Sequence, residues 1–171
     1  AIDDWVDELS HVLKRGLFLT FDYGHAAQDL YSPARSRGTL RCYYRHVLEG
    51  NPYRQIGRQD ITAHVDFSSL MRSGEEHGLA TVGFTTQGEF LQNLGFSRFL
   101  DSLGEMELTQ RERDANRMGM LEQVKAGEMG EFKVFSQAKG LDQGIAFLGV
   151  DANSPLREGD QPVREFPQAP L

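Results

Sequence analysis

Leu17-Phe18-Leu19-Thr20-Phe21-Asp22-Tyr23-Gly24-His25 is the stretch that decides the fold. Its first five residues are continuous and apolar, the pattern of a strand buried on both faces of a parallel sheet. Its last four bring polar groups and a turn residue together at the strand's carboxyl end. Upstream, residues 3–15 predict a helix in which Trp5, Leu9, Val12 and Leu13 recur at helical spacing. Asp3 and Asp4 complement the positive end of its dipole, Lys14 and Arg15 the negative end. Gly16 is expected to stop it in a left-handed conformation.

Downstream, residues 26–59 sustain no period and are expected to be a long excursion over the sheet's edge. A second helix is predicted from Asp60 to His77, capped by Asp60 or Thr62 and stopped by Gly78. Leu79 to Thr85 predicts a second strand. Thr86-Gln87-Gly88-Glu89 and Thr109-Gln110-Arg111-Glu112 are capping boxes. The first opens a helix carrying Phe90, Leu91 and Leu94, whose stripe Phe96, Phe99, Leu100 and Leu103 continue. The second opens a helix reaching to around Lys125. Residues 131–138 alternate as a third strand, with Phe132, Val134 and Ser136 on one face, and Ile145–Val150 predicts a short fourth. Past Asp151 the chain holds four of its six prolines. The expected division is therefore a domain over residues 1–150 and a mobile tail over 151–171. Alternation of helices and strands defines an α/β fold.

A chain of 171 residues is long enough for one domain with a real core. The formal charge of −7 repels phosphate backbones and excludes broad nucleic-acid binding. No apolar run approaches the ~18 residues of a membrane span. The single cysteine, Cys42, rules out an internal disulfide and reads as a packed thiol in a reducing compartment. Against the acidic total, Arg35, Arg37, Arg41 and Arg45 fall close together. They read either as a solvated loop or as a patch for an anionic ligand or acidic partner.

Ligands of open α/β sheets sit outside the carboxyl ends of the strands, which singles out Asp22, Tyr23 and His25. Asp22 either orients a substrate amine and accepts a proton, or bonds the amides of its own turn. His64-Val65-Asp66, with His25 and His46, invites a metal reading. Positions two apart on a helix face apart, and no zinc or calcium motif occurs, so no metal site is expected. A Ser-His-Asp hydrolase lacks its Gly-x-Ser-x-Gly elbow, and no glycine-rich phosphate loop is present. Arg41, Tyr44, Arg45 and His46 suit either ordinary loop packing or a lid or recognition surface for a partner protein.

LFLTFDYGH, GTLRCYYRH and NPYRQIGRQDITAHVDFSSL, followed by GFTTQGEFLQNLG and MGEFKVFSQAKG, together resemble the MidA family of class I S-adenosylmethionine-dependent methyltransferases. The resemblance spans roughly residues 5 to 140. It implies the carboxyl-terminal half of a Rossmann-like sheet, with Leu17–Phe21 as strand five. Residues 79–85 and 132–138 become strands six and seven, the last running antiparallel between the other two. The implied cofactor is S-adenosylmethionine, and the implied substrate is a protein arginine, for mitochondrial members in a respiratory complex I subunit. Asp22, His25 and His64 are then the catalytic candidates, and Tyr23, Arg41, Tyr44, His46 and Asp66 the substrate-binding ones. The family's glycine-rich cofactor loop is expected upstream of Ala1, so residues 1–171 alone are expected to be inactive. A homodimer is an open assembly, and the implied location is the cytoplasm of a bacterium or a mitochondrial matrix. Two competing readings are a non-catalytic assembly module working through residues 26–59 and an unrelated α/β hydrolase built on His and Asp.

Overall fold

The protein, a computed structural model, is described over residues 1–141. The expected strand at 145–150 and the tail at 151–171 lie outside the described residues. Helix α1 (Ile2–Val12) leads to strand β1 (Gly16–Asp22). A short strand β2 (Gly24–His25) and helix α2 (Ala27–Leu30) then open the excursion. Strands β3 (Arg41–Tyr44), β4 (Val47–Glu49) and β5 (Asp60–Thr62) lie within it. The chain returns through β6 (Val65–Asp66) into helix α3 (Phe67–Glu76) and strand β7 (Ala80–Thr86). Helices α4 (Gln87–Asn93), α5 (Phe96–Ser102) and α6 (Gln110–Gln123) precede the last strand, β8 (Lys133–Lys139).

The main sheet has the order β1-β8-β7, with β8 antiparallel to both neighbours. That is the expected arrangement of three strands with the last between the other two. Burial follows the order. Val134, Phe135, Ser136 and Gln137 of central β8 are fully buried, whereas β1 is half-buried along most of its length. The expectation of a strand buried on both faces thus belongs to β8. Beneath the sheet, Val6, Phe67, Leu70, Met71, Leu79 and Phe135 form the main core between α1, α3 and the strands. On the opposite face Phe90 and Val134 make a smaller cluster with Leu19 and Leu91.

Local signals explain most element ends. Both capping boxes form, each threonine accepting from the amide three residues on while the glutamate reaches back. Helix α3 closes in a Schellman motif: Gly78 sits at φ +77°, its amide donates to Glu75, and Leu79 donates to Gly74. Three expectations need correcting. The α1 core face runs through Ile2, Val6, Leu9 and Leu13, leaving Val12 exposed and Trp5 half out, edge-on to Phe18. Helix α1 ends at Val12, and Gly16 opens β1 and does not cap the helix. Helix α3 begins at Phe67 and not at Asp60, because Asp66 is its N-cap and accepts from the Ser69 amide.

The excursion is the largest departure. In place of a loop it holds the antiparallel sheet β4-β3-β5. Cys42 is buried at its centre, while Tyr43, Val47, Leu48 and Ile61 stay exposed.

Candidate functional site

The site is built by a two-residue parallel pair. Gly24 pairs with Val65 and His25 with Asp66, and the Val65 amide donates to the Tyr23 carbonyl at 2.8 Å. This bridge closes the excursion on itself and brings His25 and His64, far apart in sequence, to 5.0 Å between ring centroids. Tyr23 stacks near His64 at 6.5 Å and meets Phe132 at 4.0 Å. The glycine of the turn is fixed by this contact: a Cβ on Gly24 would stand 2.5 Å from the Phe67 ring and collide with the Val65 carbonyl.

Between these rings and the turn before β8 lies a cleft of about 540 Å³, lined by Tyr23, His25, His64, Met129, Phe132 and Lys133. It opens at the carboxyl end of β1, where an α/β sheet takes its ligands. Strand register sets Lys133 opposite both Asp22 and Thr86, so the ends of β1 and β7 meet it there. Sequence reasoning missed Met129, Phe132 and Lys133. They reach the cleft only through long-range pairing, although the tight approach of Gly130 to Val124 and Lys125 is a local reason for a glycine there.

Electrostatics make both imidazoles neutral at neutral pH. His25 is pushed below the usual histidine value by burial, then by Arg35, His64 and Lys133, with Asp29 opposing. His64 is lowered by burial, Arg41 and Arg35, with Asp22 opposing. The His64 amide donates to Thr39 Oγ1, and its buried Nδ1 has no hydrogen-bond partner among the described residues. Neutral rings of this kind are poised to accept protons. Asp22 accepts the amide of Tyr23 through Oδ1 at 2.7 Å, the local turn bond that its position allowed.

The remaining candidates scatter. Asp66 is buried, and its carboxylate takes Ser69 N, Ser69 Oγ and the Tyr31 hydroxyl, so it works as a cap and a tie. Since Asp66 lies in β6 and His64 directly precedes that strand, the helical geometry used against a metal does not apply to them. Among the described residues no group of three or more His, Cys, Asp and Glu is placed to hold a metal. Arg41 and His46 line a second cleft of about 620 Å³ that also reaches Tyr23 and His64. Tyr44 carries the Arg45 guanidinium over its ring at 5.4 Å.

Helices on both faces of a sheet, with a polar aromatic cleft at a strand's carboxyl end, are the arrangement in which α/β proteins take their ligands. Residues 1–85 match the model of a family described as "Putative S-adenosyl-L-methionine-dependent methyltransferase". That segment includes Asp22, Tyr23, His25 and His64. A native crystal structure of an uncharacterized protein from Burkholderia thailandensis is 34% identical, with a TM-score of 0.74, over 86% of this chain. A second crystal structure from the same organism, of a "likely methyl transferase" bound to S-adenosyl-homocysteine, is 32% identical, with a TM-score of 0.75, over 90% of this chain. The chain spans 38% of the length of each. No curated protein matches it. In sequence the chain is similar to that family over residues 1–85, and in fold it is similar to these two crystal structures, the second described as a "likely methyl transferase".

Proposed function

We propose that this chain is the carboxyl-terminal half of a class I methyltransferase of the MidA type, supplying strands five to seven and the acceptor side of the active site. The acceptor is a protein arginine. One observation carries the reading: Tyr23, His25 and His64 converge at the carboxyl end of β1, with both imidazoles held neutral. Two facts support the half-sheet. The chain spans 38% of its structural neighbours, and β1 pairs on one side only among the described residues. Further strands on that free edge would cover its half-buried apolar residues.

When bound, S-adenosylmethionine supplies an electrophilic methyl group on a sulfonium. The residues present fit the acceptor side of that chemistry. The half-exposed Tyr23 ring offers an aromatic face to a cation. Asp22 keeps Oδ2 free of its turn bond and orients the guanidinium, which stays protonated in water. The His25–His64 pair takes the proton that the attacking nitrogen loses. No glycine-rich turn for the cofactor's nucleoside occurs in the sequence, and we place that part upstream of Ala1.

In the complete enzyme, Asp22→Asn is expected to lower turnover by ~10²- to 10⁴-fold while calorimetry finds cofactor affinity unchanged. Near-normal turnover returns Asp22 to its turn-stabilising role. Labelled methyl groups found on residues other than arginine would overturn the choice of acceptor.

A further inference from the structure

The excursion carries a charge opposite to that of the chain around it. Residues 26–64 hold six arginines, no lysine and three acids, within a protein of net charge −7. Among the described residues the only ion pair in this group joins Arg54 to Glu49. Arg35 spends its hydrogen bonds on the Asp29 carbonyl and Ser32, and Arg41 on the Leu40 carbonyl. Two clefts run through the group. One, of about 620 Å³, is lined by Arg41, Arg45 and His46, with the single acid Asp60. The other, of about 670 Å³, is lined by Arg35, Arg37 and Arg41, with the single acid Glu49, which Arg54 pairs. Both end on His64, so a cationic track leads from the protein's rim into the candidate site.

The hairpin tip points the same way. Arg45 and His46 link β3 to β4 with φ of +51° and +65°, a two-residue turn whose backbone favours Asn-Gly. That backbone disfavours side chains as bulky as these, and the fold's one return is the Arg45 guanidinium lying over the Tyr44 ring. Track and site also pose a shared electrostatic problem. Burial, and after it the positive field of Arg41 and Arg35, lowers the His64 pKa, and that same field repels an arginine acceptor.

We propose that the excursion is an acidic-peptide recognition surface, engaging aspartate and glutamate residues that flank the acceptor arginine of a protein substrate. This rests on the arginine acceptor named above and adds the class of sequence around it. Acidic flanks neutralise the track, let the cationic acceptor approach His64, and match guanidiniums able to grip carboxylates in bidentate fashion. A phosphate chain longer than the track would meet the acidic remainder of the protein.

The test is fluorescence anisotropy on the full chain, with a labelled peptide holding one arginine between glutamates and a second peptide with glutamines in their place. The glutamate peptide is expected to bind at least tenfold more tightly and to weaken with salt. Arg41→Gln with Arg45→Gln should cost about tenfold in affinity, as two exposed ion pairs do. Arg41→Glu with Arg45→Glu should reverse the preference toward a lysine-flanked peptide, a gain that a misfolded variant cannot produce. Equal binding of the two peptides, or no reversal, overturns the proposal. So does equally tight binding of a single-stranded oligonucleotide, which would make the track a general polyanion site. No methyl donor is needed, so failure here leaves the methyltransferase reading standing. Peptide binding without methylation by the complete enzyme would break that reading instead.

Discussion

The layered half of the molecule and the excursion from residue 26 to 64 are held together in different ways. The layered half rests on volume: Val6, Phe67, Leu79 and Phe135 are fully buried, and α1 and α3 pack them against the sheet. Within the excursion's sheet, Cys42 is the buried apolar residue, while Val47 and Leu48 face outward. What fixes the excursion is its base. There β2 pairs with β6, the Ala27 amide donates to Ser68 at 2.9 Å, and the Tyr31 hydroxyl donates to Asp66 at 3.1 Å. One region is stabilised by burial and the other by anchorage, so equal substitutions should have unequal effects.

The largest difference is expected from truncating apolar side chains in each region. Phe135→Ala should destabilise by about 3–5 kcal/mol, the range for emptying a large aromatic site. Ile61→Ala, on the excursion's exposed sheet, should stay within about 0.5 kcal/mol. Urea denaturation compares the two, and similar losses would mean that the excursion has a core of its own.

Next in size is Gly24→Ala at the base joining the regions. The added methyl collides with the Val65 carbonyl and the Phe67 ring, an overpacking that costs about 1–3 kcal/mol. It should also separate the two imidazoles and bring the His25 pKa back toward its ordinary value in a histidine NMR titration. An unchanged His25 signal would show that the pairing of β2 with β6 does not set the site.

The smallest effect is that of pH. Both His25 and His64 titrate below the unfolded value of ~6.5. Between the folded and unfolded values the unfolded chain binds more protons, so the stabilising contribution is present above ~6.5 and is lost as pH falls through the folded values. Thermal unfolding followed downward from pH 7 should fall less steeply in the variant His25→Asn. Identical slopes would place the acid sensitivity elsewhere.

How far the sequence could be read depends on the range of the interaction. Capping boxes at Thr86 and Thr109 and the stop at Gly78 were legible because each is complete within a few residues. The start of α3 was misread because Asp60, Thr62 and Asp66 are all cap-forming types. Only the pairing of Asp66 with His25, and its bond to Tyr31, select among them. The strands of the excursion are too short, at three or four residues, to show a period. At the site, Asp22, Tyr23 and His25 stood out from their place at the end of an apolar run. Phe132 and Lys133 did not, since β8 brings them across the sheet from the far end of the chain.

The closure of the excursion at β2 and β6 has an evolutionary consequence. The chain departs and returns at neighbouring positions, so the segment between behaves as an interchangeable cassette plugged into one socket. Insertions, deletions and charge swaps inside the cassette leave the strand register of the sheet unaltered. On the proposed reading, substrate preference is then free to drift faster than the chemistry it serves, and descendants with rewritten cassettes should keep Gly24 and Val65 in contact.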